Sequence, residues 1–182
     1  MRPLHFLKKA KMWKGLLCLA LAIGTAGLFC ACSGKKENAD LGNYEKYLGD
    51  YDYDYSISAM VFETPEGEDT PGVLYRQVTD LNALCQNCPI PICLLFYSGM
   101  RADVYGIFAC LEEMTETHHG QVLIVTIDAM SEKDLTSAYK VEAMPEAIVI
   151  RDGKQFSRFD GKNRGEWTAR QMTDWILEQA TK

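Results

Sequence analysis

No apolar stretch at the head of this 182-residue chain is long enough to span a bilayer. The uncharged run Leu16–Phe29, "LLCLALAIGTAGLF", has 14 residues, against about 20 for a membrane-crossing helix. Basic residues are outnumbered, 19 Lys+Arg against 25 Asp+Glu, for a net charge of −6. That balance opposes the phosphate backbone, so no nucleic-acid partner is expected. No internal repeat is present, which excludes a repeat array. Seven cysteines occur, yet none stands between Cys93 and Cys110, so the helix expected to open near Val104 has no thiol at its mouth.

What is there begins with a basic lead, Arg2, Lys8, Lys9, Lys11 and Lys14, ahead of the short apolar run. This is the anatomy of a signal peptide. The run meets "LFCACSGKKENAD", whose Ala-Cys junction resembles the lipobox of bacterial lipoproteins. The resemblance implies cleavage after residue 31 and lipid attachment at Cys32, although Phe29 and Cys30 depart from the usual pattern; Cys30 as the modified residue, an ordinary secretory cleavage and an uncleaved anchor are the alternatives. Cleavage leaves 14 basic against 25 acidic residues, about −11, on 151 residues. Such a chain gains nothing from anionic lipid, so the lipid would hold it at the extracytoplasmic face of the cell membrane. Cys85, Cys88, Cys93 and Cys110 would then sit in an oxidising compartment, where disulfides persist.

Residues 32–72 read as the lipidated cysteine and a flexible acidic tether. Within it "YDYDY" is an acidic linker, a sticky aromatic patch or a calcium-binding cluster, and "SISAMVFE" (56–63) is an edge strand. Residues 73–182 read as one domain. "VLYRQV" (73–78) alternates like a half-buried strand, Thr79 or Asp80 caps a short helix to Leu84, and "PICLLFY" (91–97) is a strand covered on both faces. Val104, Ile107, Phe108 and Leu111 follow helical spacing up to Gly120. "QVLIVTID" (121–128) is a second buried strand. Ser131 with Asp134 reads as a capping box, "EAIVIRDGKQFSRFD" (146–160) as a hairpin turning at Asp152-Gly153, and 168–179 as a helix burying Met172, Trp175 and Ile176. The order is β-α-β-α-β-α-β-β-α.

That order, together with "YKVEAMPEAIVIRDGKQFSRFDG", resembles thioredoxin over about residues 73–180. The resemblance implies an α/β three-layer fold, a central mixed sheet of four to five strands flanked by helices. It also implies that Met144-Pro145 is the family's cis-proline dipeptide. Thioredoxins carry Trp-Cys-Gly-Pro-Cys directly after the strand that ends here in "LLFY". In this chain Arg101 and Val104 stand where the resemblance puts the two cysteines, and Leu95 where it puts the buried aspartate that serves them.

Cys85 and Cys88 precede the strand 91–97, whose seven residues span about 23 Å, so the pair belongs at the other pole of the sheet. It is open to three readings: a structural disulfide, separate reduced thiols, or an off-site redox or metal pair. Cys93 and Cys110 read as small apolar core groups. His118 and His119 suit a helix C-terminus better than a metal, and neither metal nor cofactor is expected. The functional expectation is a peptide- or protein-binding groove at Met144, Pro145, Arg101 and Asp103, with Tyr105 and Trp167 either lining it or packing at its rim. Asp103 doubles as a helix cap. The alternative is an enzyme, a cell-envelope thiol-disulfide oxidoreductase serving redox homeostasis through Cys85 and Cys88. It has the helix dipole against it, because the pair stands at a helix C-terminus.

Overall fold

The computed structural model describes residues 42–182. The signal peptide, Cys32 and the first part of the tether lie outside them. Seven strands form one mixed sheet: β1 (Leu48–Tyr51), β2 (Ile57–Glu63), β3 (Gly72–Val78), β4 (Ile92–Tyr97), β5 (Leu123–Asp128), β6 (Glu146–Arg151) and β7 (Lys154–Phe159), in spatial order β1-β3-β2-β5-β4-β6-β7. The helices are α1 (Leu81–Asn87), α2 (Val104–Thr117), α3 (Lys133–Ala138) and α4 (Ala169–Thr181). Only β4 and β5 run parallel; the other five pairings are antiparallel.

The two-sided burial of β4 explains its unbroken apolar run. Ile92, Leu94 and Phe96 enter one core, shared with Leu81 and Leu84 of α1. Cys93 and Leu95 enter the other, beneath Ile107 and Leu111 of α2 and Met172 and Ile176 of α4. Helix α4 starts with a capping box between Thr168 and Gln171. At the β6–β7 turn Asp152 and Gly153 both have positive φ, 50° and 71°, as a two-residue hairpin requires.

Three expectations need correction. The sheet has seven strands rather than four or five. The extra ones come from the stretch read as a tether: residues 42–47 are a 3-10 helix, followed by β1 and β2, and Tyr44 and Leu48 are buried in the first core. The folded unit therefore reaches back to about residue 42, not 73. Strand β2 is also no edge strand, since it pairs with β3 on one side and β5 on the other; Ala59, Met60 and Val61 feed both cores. Third, Ser131 does not cap α3. Its hydroxyl donates to Asp128 Oδ2 at 2.8 Å, and Glu132 occupies the N-cap without a side-chain capping bond. Both cores lie wholly within residues 44–180, so a fragment of residues 42–182 carries everything described that holds the fold.

Candidate functional site

Parallel pairing of β4 and β5 brings their C-terminal ends together, and antiparallel pairing sets the start of β6 beside them, Phe96 opposite Glu146. Three loops converge at this pole. The Ala129 N–H donates to Tyr97 O at 2.9 Å and ties the first two. The third contains the Met144–Pro145 peptide bond, which is cis. Pro145 is buried and Met144 half-buried, the latter packed against the first core.

The loop before α2 reads Ser98-Gly99-Met100-Arg101-Ala102-Asp103 and holds no thiol. It winds tightly into the helix, with Arg101 N donating to Ser98 O at 3.1 Å and Val104 N to Arg101 O at 3.3 Å. Arg101 and Asp103 form a two-pronged ion pair, Nε to Oδ1 at 3.0 Å and Nη2 to Oδ2 at 2.6 Å, with both side chains about half exposed. The hydrogen bond from Arg101 holds the Asp103 carboxyl below the usual carboxylate range, against a weaker upward push from burial. Asp103 makes no side-chain cap bond; the guanidinium takes the carboxylate that the sequence assigns to the helix. Val104 is buried at 6 % exposure.

Under the cis-proline loop sits Arg158 of β7. It ion-pairs with Glu146 and donates to the carbonyls of Tyr139 at 2.5 Å and Lys140 at 3.3 Å. Burial pushes the Glu146 carboxyl up, and Arg158 opposes the push. One guanidinium thus fastens both ends of the loop 139–146. Sequence reasoning misses this clamp, because a lone Arg in the second strand of a hairpin carries no local signal.

Cys85 and Cys88 are elsewhere. The Cys85 carbonyl lies 3.8 Å from the position a Cβ on Gly153 would take, and Cys88 lines a cleft with Arg151 and Asp152. These are the residues around the β6–β7 turn. The length of β6, six residues or about 20 Å, separates that turn from Pro145. Both thiols are free, so the pair does not form the structural disulfide that its spacing allows. Cys85 points into the first core, against which Tyr139 packs. Burial pushes both thiols up to about 11, the direction opposite to that of an attacking thiolate.

Cys93 is fully buried in the second core. His118 is the C-cap of α2, and His119 stacks on Phe62 at 5.1 Å. Among the described residues no group of three His, Cys, Asp or Glu is arranged to hold a metal ion. Trp167 packs edge-on against Phe159 at 5.2 Å and donates to Gly161 O at 3.2 Å, which places it at the rim of the second core. Tyr105 is 74 % exposed.

A mixed sheet between two helical layers, with a cis-proline loop at the pole where a helix begins, defines a thioredoxin-like α/β protein. The family described as Thioredoxin matches residues 84–174, half of the chain, and the chain belongs to that family. It is 32% identical over 78 residues to thioredoxin Y2, chloroplastic, of Arabidopsis thaliana, covering 43% of this chain and 47% of that protein. It is 30% identical over 64 residues to thioredoxin C-2 of Corynebacterium nephridii, covering 35% and 59%. The chain thus spans about half the length of the curated relatives it matches. Among solved structures, mitochondrial thioredoxin 3 of Saccharomyces cerevisiae in its oxidized form aligns with a TM-score of 0.46 at 18% identity, over 55% of this chain and 88% of that one.

Proposed function

We propose that this protein is a lipid-anchored, extracytoplasmic member of the family that binds an extended peptide or protein segment beside Pro145, without dithiol chemistry at that place. One observation carries the reading. Met100, Tyr105 and Met130, 86 %, 74 % and 49 % exposed, follow the ends of β4 and β5 at the same pole as Met144-Pro145, where no cysteine stands. Exposed methionine and tyrosine supply adaptable apolar contact, and backbone beside an exposed loop can pair with an extended segment as an added strand does. Arg101, held by Asp103, adds a cation at the edge.

The test is a random-peptide array probed with labelled 42–182 fragment. Retained peptides are expected to be extended and apolar, and Met144→Asp is expected to weaken their binding at least about tenfold, the cost of a carboxylate in an apolar contact. Binding that ignores Met144→Asp, or no retained peptide, contradicts the reading.

The second reading is a thiol-disulfide oxidoreductase of the cell envelope working through Cys85 and Cys88. The free state of both thiols and the thioredoxin names of the relatives favour it. Their burial and upward-shifted pKa oppose it.

A further inference from the structure

Between β3, the segment 53–55 and the outer face of α2 runs a cleft of about 370 Å³, inside the size range of small-molecule sites. Six rings line it: Tyr53, Tyr55, Tyr75, Tyr97, Tyr105 and Phe108. Four of them, Tyr53, Tyr75, Phe108 and Tyr97, form a connected wall. Tyr53 tilts against Tyr75 at 4.9 Å, Tyr75 stacks with Phe108 at 6.3 Å, and Phe108 meets the edge of Tyr97 at 5.0 Å. The wall is fixed from behind. Asp52 N donates to Tyr75 O at 3.0 Å and anchors the segment that carries Tyr53.

The charge on the lining is of one sign. Glu112 of α2 is its only ionisable carboxylate, and no lysine or arginine joins it. The Tyr75 hydroxyl donates to Glu112 Oε1 at 2.7 Å, which holds the carboxylate against the rings. Two of the rings, Tyr53 at 73 % and Tyr105 at 74 % exposure, lack the packing that would explain them as core.

We infer that this cleft binds a small organic cation of the quaternary-ammonium class, cradled by the tyrosine and phenylalanine faces and neutralised by Glu112. The physical basis is that ring faces attract a weakly hydrated cation within about 6 Å of the centroid. A carboxylate at the wall discriminates it from a neutral body of the same shape. An overall charge of −6 raises the local concentration of cations further. An anionic ligand is refused by the same charge, and a purely apolar one leaves Glu112 without a cation to neutralise. The cleft shares Tyr105 with the peptide reading but not Met144 or Pro145, which are not among its lining residues, so Met144→Asp separates the two.

The test uses the 42–182 fragment and choline as probe, with 3,3-dimethylbutanol as the neutral isostere, followed by NMR of the tyrosine ring protons. Choline is expected to give saturable shifts in the rings of the cleft, and the isostere to bind at least about tenfold more weakly. Glu112→Gln is expected to remove most of that preference. Tyr105→Ala, at an exposed position that the fold does not need, is expected to weaken choline several-fold while the amide spectrum of the sheet stays in place. Equal binding of choline and the isostere, or no saturable shift from choline, overturns the inference.

Discussion

Arg101→Cys together with Val104→Cys is expected to give this domain an insulin-reducing activity at least about tenfold above that of the unmodified fragment under dithiothreitol. The geometry supplies what a disulfide requires. The Val104 N–H to Arg101 O bond at 3.3 Å closes a turn whose Cα ends lie within about 7 Å, inside or at the edge of disulfide reach. The two positions also differ in the useful sense. The Arg101 side chain is 54% exposed, suited to an attacking sulfur, and Val104 is buried, suited to the resolving one. The N-terminus of the 14-residue α2 favours a thiolate at its mouth. Asp103 opposes it once its arginine is gone, so Asp103→Asn added to the pair is expected to speed the reaction further. Failure of the double variant to form a disulfide, measured by thiol titration of the folded protein, would show that this pole of the sheet is not built for dithiols.

The second large effect concerns stability. Arg158→Met is expected to lower unfolding free energy at pH 7 by about 3 kcal/mol, the usual cost of stranding a buried charge by removing its partner. Glu146 is only 4% exposed, and the same substitution frees the carbonyls of Tyr139 and Lys140. The pH dependence has a definite sign. Burial raises the folded-state pKa of Glu146, and a raised carboxyl stabilises the native state at low pH and loses that contribution as pH rises through the folded value. Removing Arg158 raises the carboxyl further. The deficit relative to wild type is therefore expected to be largest near neutrality and to shrink toward about pH 4. Urea titrations of the two proteins from pH 4 to 8 measure it, and a deficit constant across that range would contradict the assignment. Adding Glu146→Gln to Arg158→Met is expected to recover part of the loss at pH 7.

The readable parts of the fold are those with a strong local pattern. The run "ICLLFY" of β4 is buried on both faces, "LIVTID" of β5 likewise, and Asp152-Gly153 turns the β6–β7 hairpin. The 42–55 segment is not readable as part of the sheet. Its 3-10 helix and β1 are rich in acid and tyrosine, and a composition of that kind is typical of linkers. What holds it is tertiary: Arg76 reaches across to the carbonyls of Leu48 and Gly49 at 3.3 and 3.0 Å. Strand β2 reads as an edge because alternation tells that a strand exists and not what lies on its flanks. The same segment hides the aromatic cleft. Tyr53 and Tyr55 look like linker residues until β3 and α2 supply the other walls.

The absence of thiols before α2 is legible directly, whereas the ion pair found there is not. Arg101 and Asp103 are two residues apart, a spacing that does not by itself set side chains face to face. The tight winding of the 98–104 loop brings them together. The thiol state of Cys85 and Cys88 is likewise beyond the spacing. Cys-x-x-Cys allows a bridge, but α1 turns Cys85 inward toward Tyr139 while Cys88, as C-cap, leaves the helix in extended backbone.

At the pole where α2 begins, this chain presents an arginine-aspartate pair; Cys85 and Cys88 lie beside the opposite turn. The direct measurement is the reduction of insulin by dithiothreitol with the 42–182 fragment, run beside Cys85→Ser/Cys88→Ser. No acceleration over dithiothreitol alone by either protein is the result expected. Acceleration by the wild-type fragment that disappears in the double-serine variant would show that the remote pair turns over substrate after all.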